Sequence, residues 1–276
     1  MRAVRFAADG GEPRLGRLED DHVVDAGLAG NLGFDASDEA WELIANARGE
    51  EFALADTRLL HPCVPQKIVG VGLNYVSHVE ETKLERPDVP VGFAMWPSAL
   101  IGHDDEIVIP REETKPDWEG EIALVIGRRT YRADRAGALA AIGGVSAFDD
   151  VSGRRAQFDT PLRQFTLGKS FDTFAPLGPC VAHPASVDLD RLGLRTTLNG
   201  EVVQESDTSH LIFGFDELIE YFTRGVTLFP GDVIATGTPG GVGYEREPPR
   251  YLRDGDVVEV TVDGVGTLRN RVRREV

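Results

Sequence analysis

Glu119 and Glu121 stand two residues apart in the run Asp117-Trp118-Glu119-Gly120-Glu121, which passes directly into Ile122-Ala123-Leu124-Val125-Ile126. The apolar tail reads as a buried strand. Strand side chains alternate between faces, so both carboxylates are expected on the same face. Two like charges beside an apolar strand repel each other and lose hydration. A divalent cation relieves both costs. A third candidate carboxylate lies downstream in Phe148-Asp149-Asp150-Val151-Ser152. Three carboxylates with no His or Cys partner describe an oxygen-only site for a hard ion, Mg²⁺ or Mn²⁺ ahead of Ca²⁺. Glu-x-Glu alone is more often a solvated strand edge, so the motif needs support from elsewhere in the chain.

A second polar group, Asn74, Tyr75, His78 and Glu81, falls within eight residues. If that stretch is helical, His78 and Glu81 lie at i and i+3 on one face. A carboxylate beside an imidazole orients it and raises its basicity, which suits a general base. Lysine is scarce, at positions 67, 83, 115 and 169 among 29 basic residues, and Lys169 draws attention within Gly168-Lys169-Ser170. That triplet is not a phosphate loop, because Arg163 stands where the motif requires glycine. The Gly-rich run from Thr236 to Gly243 lacks dinucleotide-binding spacing, no G-x-S-x-G elbow occurs, and the six histidines show no zinc-ligand spacing.

The elements that must position these groups are mostly strands. Arg2–Ala7, Arg14–Glu19 and His22–Asp25 read as a small meander, followed by a helix capped by Ser37 with Trp41 and Ile44 on its apolar face. Pro62 and Pro65 mark a boundary, giving an expected small α+β domain over 1–62 and a larger domain over 63–276. Asn199-Gly200 and Asp263-Gly264 each sit between strand-like runs, the strongest short hairpin signal. One amphipathic helix, Asp216 to Arg224, interrupts the strands. The expected fold is therefore mixed β with few helices, rolled or barrel-like, rather than a βαβ repeat.

The 276 residues are 41% hydrophobic and carry a net charge of −17. That charge argues against a nucleic-acid or anionic-membrane partner. No apolar run is long enough to span a bilayer, and the N-terminus shows no signal-peptide core. Cys63 and Cys180 are far apart in the chain, so reduced thiols and a cytoplasmic location are expected.

Six ordered blocks together resemble the fumarylacetoacetate hydrolase family: GLNYVSHVEE (72–81), DWEGEIALVIG (117–127), DDVSGRRAQ (149–157), GKSFDTFAPLGP (168–179), LNGEVVQ (198–204) and PGDVIATGTPGGVG (230–243). The resemblance implies a β-roll of mixed strands with the active site at one mouth. It implies Mg²⁺ or Mn²⁺ held by Glu119, Glu121 and Asp150, a water-activating lid pair in His78 and Glu81, and an active-site lysine in Lys169. Arg154 and Gln157 would line the pocket, Tyr75 would border the substrate, and Thr238 would receive the substrate carboxylate. It also implies a homodimer acting on 2-oxo acids and 1,3-dicarbonyl compounds. The chain departs from the family pattern at Met95, where lysine is frequent, at Asp149, where asparagine is usual, and at Phe165, where tryptophan is usual; all three are expected at the pocket wall.

A cation at such a site acts as a Lewis acid toward an enolate. The first expectation is hydrolytic cleavage of a C–C bond in an acylpyruvate or related β-diketo acid. The alternative is an isomerase or decarboxylase of a 2-hydroxymuconate-type or oxaloacetate-like diacid. A catalytically idle scaffold would have little reason to keep Glu119, Glu121, Asp150, His78 and Lys169 together.

Overall fold

The computed structural model describes residues 1–8, 10–31 and 33–276. The first segment runs β1 (Arg2–Ala7), β2 (Arg14–Leu18), β3 (His22–Leu28), α1 (Asp38–Ala45), β4 (Glu51–Ala53) and β5 (Arg58–Leu60). The middle follows with β6 (Ile68–Gly72), α2 (Val76–Thr82), β7 (Val91–Met95), β8 (Leu100–Ile101), β9 (Glu106–Ile109), β10 (Pro116–Asp117), β11 (Gly120–Ile126), α3 (Arg135–Ala140), β12 (Ile142–Asp149), β13 (Ser152–Gly153), α4 (Arg154–Phe158) and α5 (Phe165–Gly168). The chain closes with β14 (Ala175–Ala182), β15 (Gly193–Leu198), β16 (Glu201–Asp207), α6 (Phe215–Thr223), β17 (Val233–Ala235), β18 (Val257–Val262) and β19 (Gly266–Arg274).

The sheet-dominated fold read from the sequence is the one observed. A large sheet runs in the order β4-β3-β2-β1-β14-β12-β11-β17-β6-β7, and a second runs β16-β15-β18-β19-β9. The strand β11 is buried along its whole length. Its alternate residues feed two cores, as a strand covered on both faces must. Ile122, Leu124 and Ile126 join Leu194, Val260, Leu218 and Ile219, which brings the second sheet and α6 onto one face. Ala123 and Val125 join Ile68, Met95, Val233 and Trp41 on the other. Truncating Leu124 to alanine in such a core costs about 2–5 kcal/mol.

Local signals set the turns and caps. Asn199 and Gly200 both have positive φ, 54° and 82°, the geometry of a tight hairpin between β15 and β16. Ser37 caps α1 by accepting from the Ala40 N–H at 3.2 Å. The first sixty residues do not sit apart from the rest. β1 pairs with β14 through Arg2 opposite Ala182 and Ala3 opposite Val181, so strands on both sides of the expected boundary at residue 62 share one sheet. No helix among the described residues is long and apolar enough to cross a membrane.

Candidate active site

The site grows from the N-terminal end of β11. Asp150, just beyond the end of β12, faces it because β12 pairs antiparallel with β11, with Gly120 opposite Asp149, and because the Asp150 N–H donates to the Glu119 carbonyl at 2.9 Å. Glu119, Glu121 and Asp150 are all buried, and one carboxylate oxygen from each lies within 4.8 Å of the other two. That is the cluster the sequence pattern anticipates.

Two buried cations brace it. Lys169, at the end of α5, places Nζ 2.6 Å from Glu119 Oε2 and 2.8 Å from Asp150 Oδ2. Arg154, opening α4, bridges Glu119 Oε1 at 2.6 Å and Asp117 Oδ2 at 2.8 Å. Burial pushes the Glu119 carboxyl up, but Lys169 and Arg154 outweigh it and hold the group down at about 2. Burial, then Asp150 and Glu119, raise Glu121 well above the usual carboxylate range. Burial raises Asp150 to about 7, with Lys169 opposing and Glu119 adding to it. The contrast has a simple origin: Glu119 touches both cations, Asp150 one, and Glu121 neither.

The donor set fits a divalent cation. All three groups offer oxygen, which suits a hard ion. Among the described residues, Asp150 Oδ1 is buried with no hydrogen-bond partner, an acceptor left open. Among the same residues, Glu121 accepts a single backbone N–H, from Gly237 at 2.8 Å, and pairs with no cation. Such a cluster is expensive unless further positive charge enters it.

Above this floor lies a cavity of about 600 Å³ whose wall includes His78, Glu119, Arg154, Lys169 and Thr238. The lid pair forms as the i, i+3 spacing predicts: α2 places His78 Nδ1 2.7 Å from Glu81 Oε1. The other Glu81 oxygen accepts from the Gly241 N–H at 2.7 Å, so the pair is tied to the Gly-rich turn. Asn74 anchors the approach to α2, donating to the carbonyls of Thr236 at 2.8 Å and Phe213 at 3.2 Å.

The other predicted site residues are placed differently from one another. Tyr75 is fully buried near Glu121, with its hydroxyl unpartnered among the described residues. Gln157 is also fully buried, accepting from Arg154 at 3.2 Å and leaving its Nε2 without a partner among the described residues. Thr238 reaches the wall, but its hydroxyl donates to the Gly120 carbonyl at 2.9 Å and accepts from Gln204 at 2.7 Å. Of the three departures from the family pattern, Phe165 alone lines the cavity. Met95 packs in the core, and Asp149 supports the floor from behind by accepting from the Glu119 N–H at 2.9 Å.

Asp117 has a role that the sequence reading missed. Fully buried, it takes two N–H bonds from Arg154 and accepts from the backbone of Gly243 and Tyr244 at 2.7 and 2.9 Å. It thus fastens the Gly-rich turn to the cation that holds Glu119. Its place directly before Trp118-Glu119 is the only signal in the sequence. Arg163, Tyr244, Glu245 and an apolar set, Leu84, Val91, Phe93 and Phe158, also line the cavity and are unmarked in the sequence.

The family model for the fumarylacetoacetate (FAA) hydrolase C-terminal domain matches residues 67–273. A protein of Archaeoglobus fulgidus is 45% identical over 222 residues, covering 80% of this chain and 84% of that one. Oxaloacetate tautomerase FAHD2A, mitochondrial, of Bos taurus is 42% identical over 209 residues, covering 75% of this chain and 67% of its own. Among solved structures, 5-carboxymethyl-2-hydroxymuconate delta-isomerase from Mycobacterium smegmatis superposes with a TM-score of 0.83 at 36% identity, each chain covered in full.

Proposed function

This chain belongs to the fumarylacetoacetate hydrolase family, and from that premise we propose that it catalyses proton transfer beside the carbonyl of a 2-oxo diacid, interconverting keto and enol forms. The observation that carries the reading is that Glu119 of the buried carboxylate cluster and His78 of the His78–Glu81 pair line one cavity. Tautomerase and isomerase relatives support it.

Glu81 accepts from His78 Nδ1–H, which leaves Nε2 as the basic nitrogen. His78 removes a proton from the carbon next to the keto group and returns it to the oxygen, so one C–H bond breaks and one O–H bond forms. Lys169, charged and buried, balances negative charge developing on that oxygen. Arg154 and Asp117 hold Glu119 in place. Glu119, Glu121 and Asp150 would hold Mg²⁺ or Mn²⁺, which would supply Lewis acidity. The test is the decay of enol absorbance of oxaloacetate with each metal. A rate no higher than the metal alone gives would sink the reading.

Hydrolysis of an acylpyruvate is the second reading. The cavity of about 600 Å³ favours it, since a cavity of that size accommodates far more than a four-carbon diacid. In that case His78 deprotonates water instead of carbon. Mass spectrometry of products formed in ¹⁸O water separates the two. A homodimer and a cytoplasmic location belong to the same proposal, checked by sedimentation and by fractionation.

A further inference from the structure

Three permanent cations line the cavity: Arg154, Lys169 and Arg163. The first two already have carboxylate partners at the floor. Arg154 is divided between Asp117 and Glu119, and Lys169 between Glu119 and Asp150. Each is buried and positioned by two carboxylates. Arg163 is different. It lies in the connection between α4 and α5, is exposed, and makes neither an ion pair nor a hydrogen bond among the described residues. Its guanidinium stands over the Phe158 ring, 5.3 Å from the centroid, which limits where the fork can point.

The surroundings make this cation more than a solubilising charge. Leu84, Val91, Phe93, Phe158 and Phe165 form the neighbouring wall, and a charge pair against apolar walls is weakened less than one in open water. Glu245, also on the wall, makes no ion pair among the described residues. It stands near the lid pair, where burial and the Glu81 carboxylate raise its pKa. Like charge there disfavours an anionic arm near the lid.

We propose that Arg163 binds a second carboxylate at the far end of the substrate, so that the preferred ligand is an extended 2-oxo diacid rather than a 2-oxo monoacid. This rests on the reading that a 2-oxo acid head lies on the carboxylate floor. The planar fork of arginine matches a carboxylate in two bonds, which lysine does not reproduce.

The experiment compares 2-oxo diacids of four, five and six carbons with the 2-oxo monoacids of equal length. Affinity is read from Mg²⁺-dependent thermal stabilisation and competition, in the full chain and in Arg163→Gln and Arg163→Lys. Oxalate, which has no far arm, checks that the floor of each variant still accepts a head group. For at least one chain length the unmodified protein should favour the diacid by roughly ten- to hundredfold. Arg163→Gln should bring that ratio close to one, and Arg163→Lys should keep only part of it. No preference for the diacid in the unmodified protein, or a preference that survives Arg163→Gln, overturns the proposal. Failure of oxalate and every 2-oxo acid to bind overturns the head-group reading and this proposal with it. A diacid preference that depends on Arg163 without any enol turnover overturns the proposed activity and leaves the recognition standing.

Discussion

The floor and the mouth of the cavity are built on opposite plans. At the floor, Glu119, Glu121, Asp150, Arg154 and Lys169 are all under 10% exposed, and each is fixed by strand pairing or by ion pairs. At the mouth, Leu84 and Val91 are each 45% exposed, Phe165 is 38% exposed, and Arg163 has no charged partner among the described residues. In the helix α2, which carries His78, every residue is half-buried or exposed. The floor invests stability in holding charges together. The mouth leaves groups free to meet a ligand, and such weakly anchored segments are where closure over a substrate takes place.

The sharpest way to break this contrast is to remove one floor carboxylate. Glu119→Ala or Asp150→Ala should lower metal-dependent turnover by more than roughly 10³-fold, since several kcal/mol of charge stabilisation is lost. The metal-induced rise in melting temperature should shrink as well. Retention of unmodified activity at limiting metal would show that the ion sits elsewhere.

At the mouth, His78→Ala should slow oxaloacetate tautomerisation by roughly 10²–10⁴-fold, the usual worth of a general base. Measuring acylpyruvate cleavage in the same variant sharpens the assignment. If cleavage falls by that factor while tautomerisation hardly changes, His78 activates water and the hydrolytic reading takes precedence. Next in size is Asp117→Ala, which leaves Arg154 buried with one partner fewer. It should destabilise the protein by about 3–5 kcal/mol in denaturant unfolding, as breaking a buried pair does. A loss below about 1 kcal/mol would mean that the Gly-rich turn does not depend on Asp117.

The smallest expected effect is a pH dependence. Burial raises Asp150 to about 7, and Asp149 likewise. An unfolded aspartate titrates near roughly 3.9. The folded protein therefore holds these protons more tightly, and their contribution to stability is complete below about pH 4 and lost as pH rises through about 7. A divalent cation on Asp150 offsets the cost of its ionisation. The metal-induced rise in melting temperature should be larger at pH 8 than at pH 5.5, by roughly a few degrees. Equal rises at both values would detach metal binding from this cluster.

How much of this could be read from the chain follows the same division. The floor carboxylates and the pair at the mouth were legible because their patterns are local: a Glu-x-Glu ahead of an apolar run, an acid downstream of it, and a His and a Glu one helical turn apart. Asn199-Gly200 and the Ser37 cap were legible for the same reason, since turn and cap chemistry depends on adjacent residues. Arg163, Glu245 and Leu84 were not. Each is an ordinary surface residue until α2, the α4–α5 connection and the Gly-rich turn meet. Tyr75 and Gln157 differ in the other direction: their types suit a pocket, and the structure buries them fully. The pairing of β17 with β11 on one side and β6 on the other, which brings 233–235 beside both 123–125 and 68–70, leaves no trace in any single stretch.

The seam between β1 and β14 bears on how this protein can be handled. Val4, Phe6, Leu18 and Val23 share a core with Ile122, Val145 and Cys180. A fragment trimmed to the family-matched residues 67–273 would bare that apolar face. It would also strip the hydrogen-bonding partner from the end of β14, leaving an open edge that invites a neighbouring molecule to add a strand. The leading segment supplies no residue of the cavity wall among the described residues but covers that face, and its removal is expected to favour aggregation.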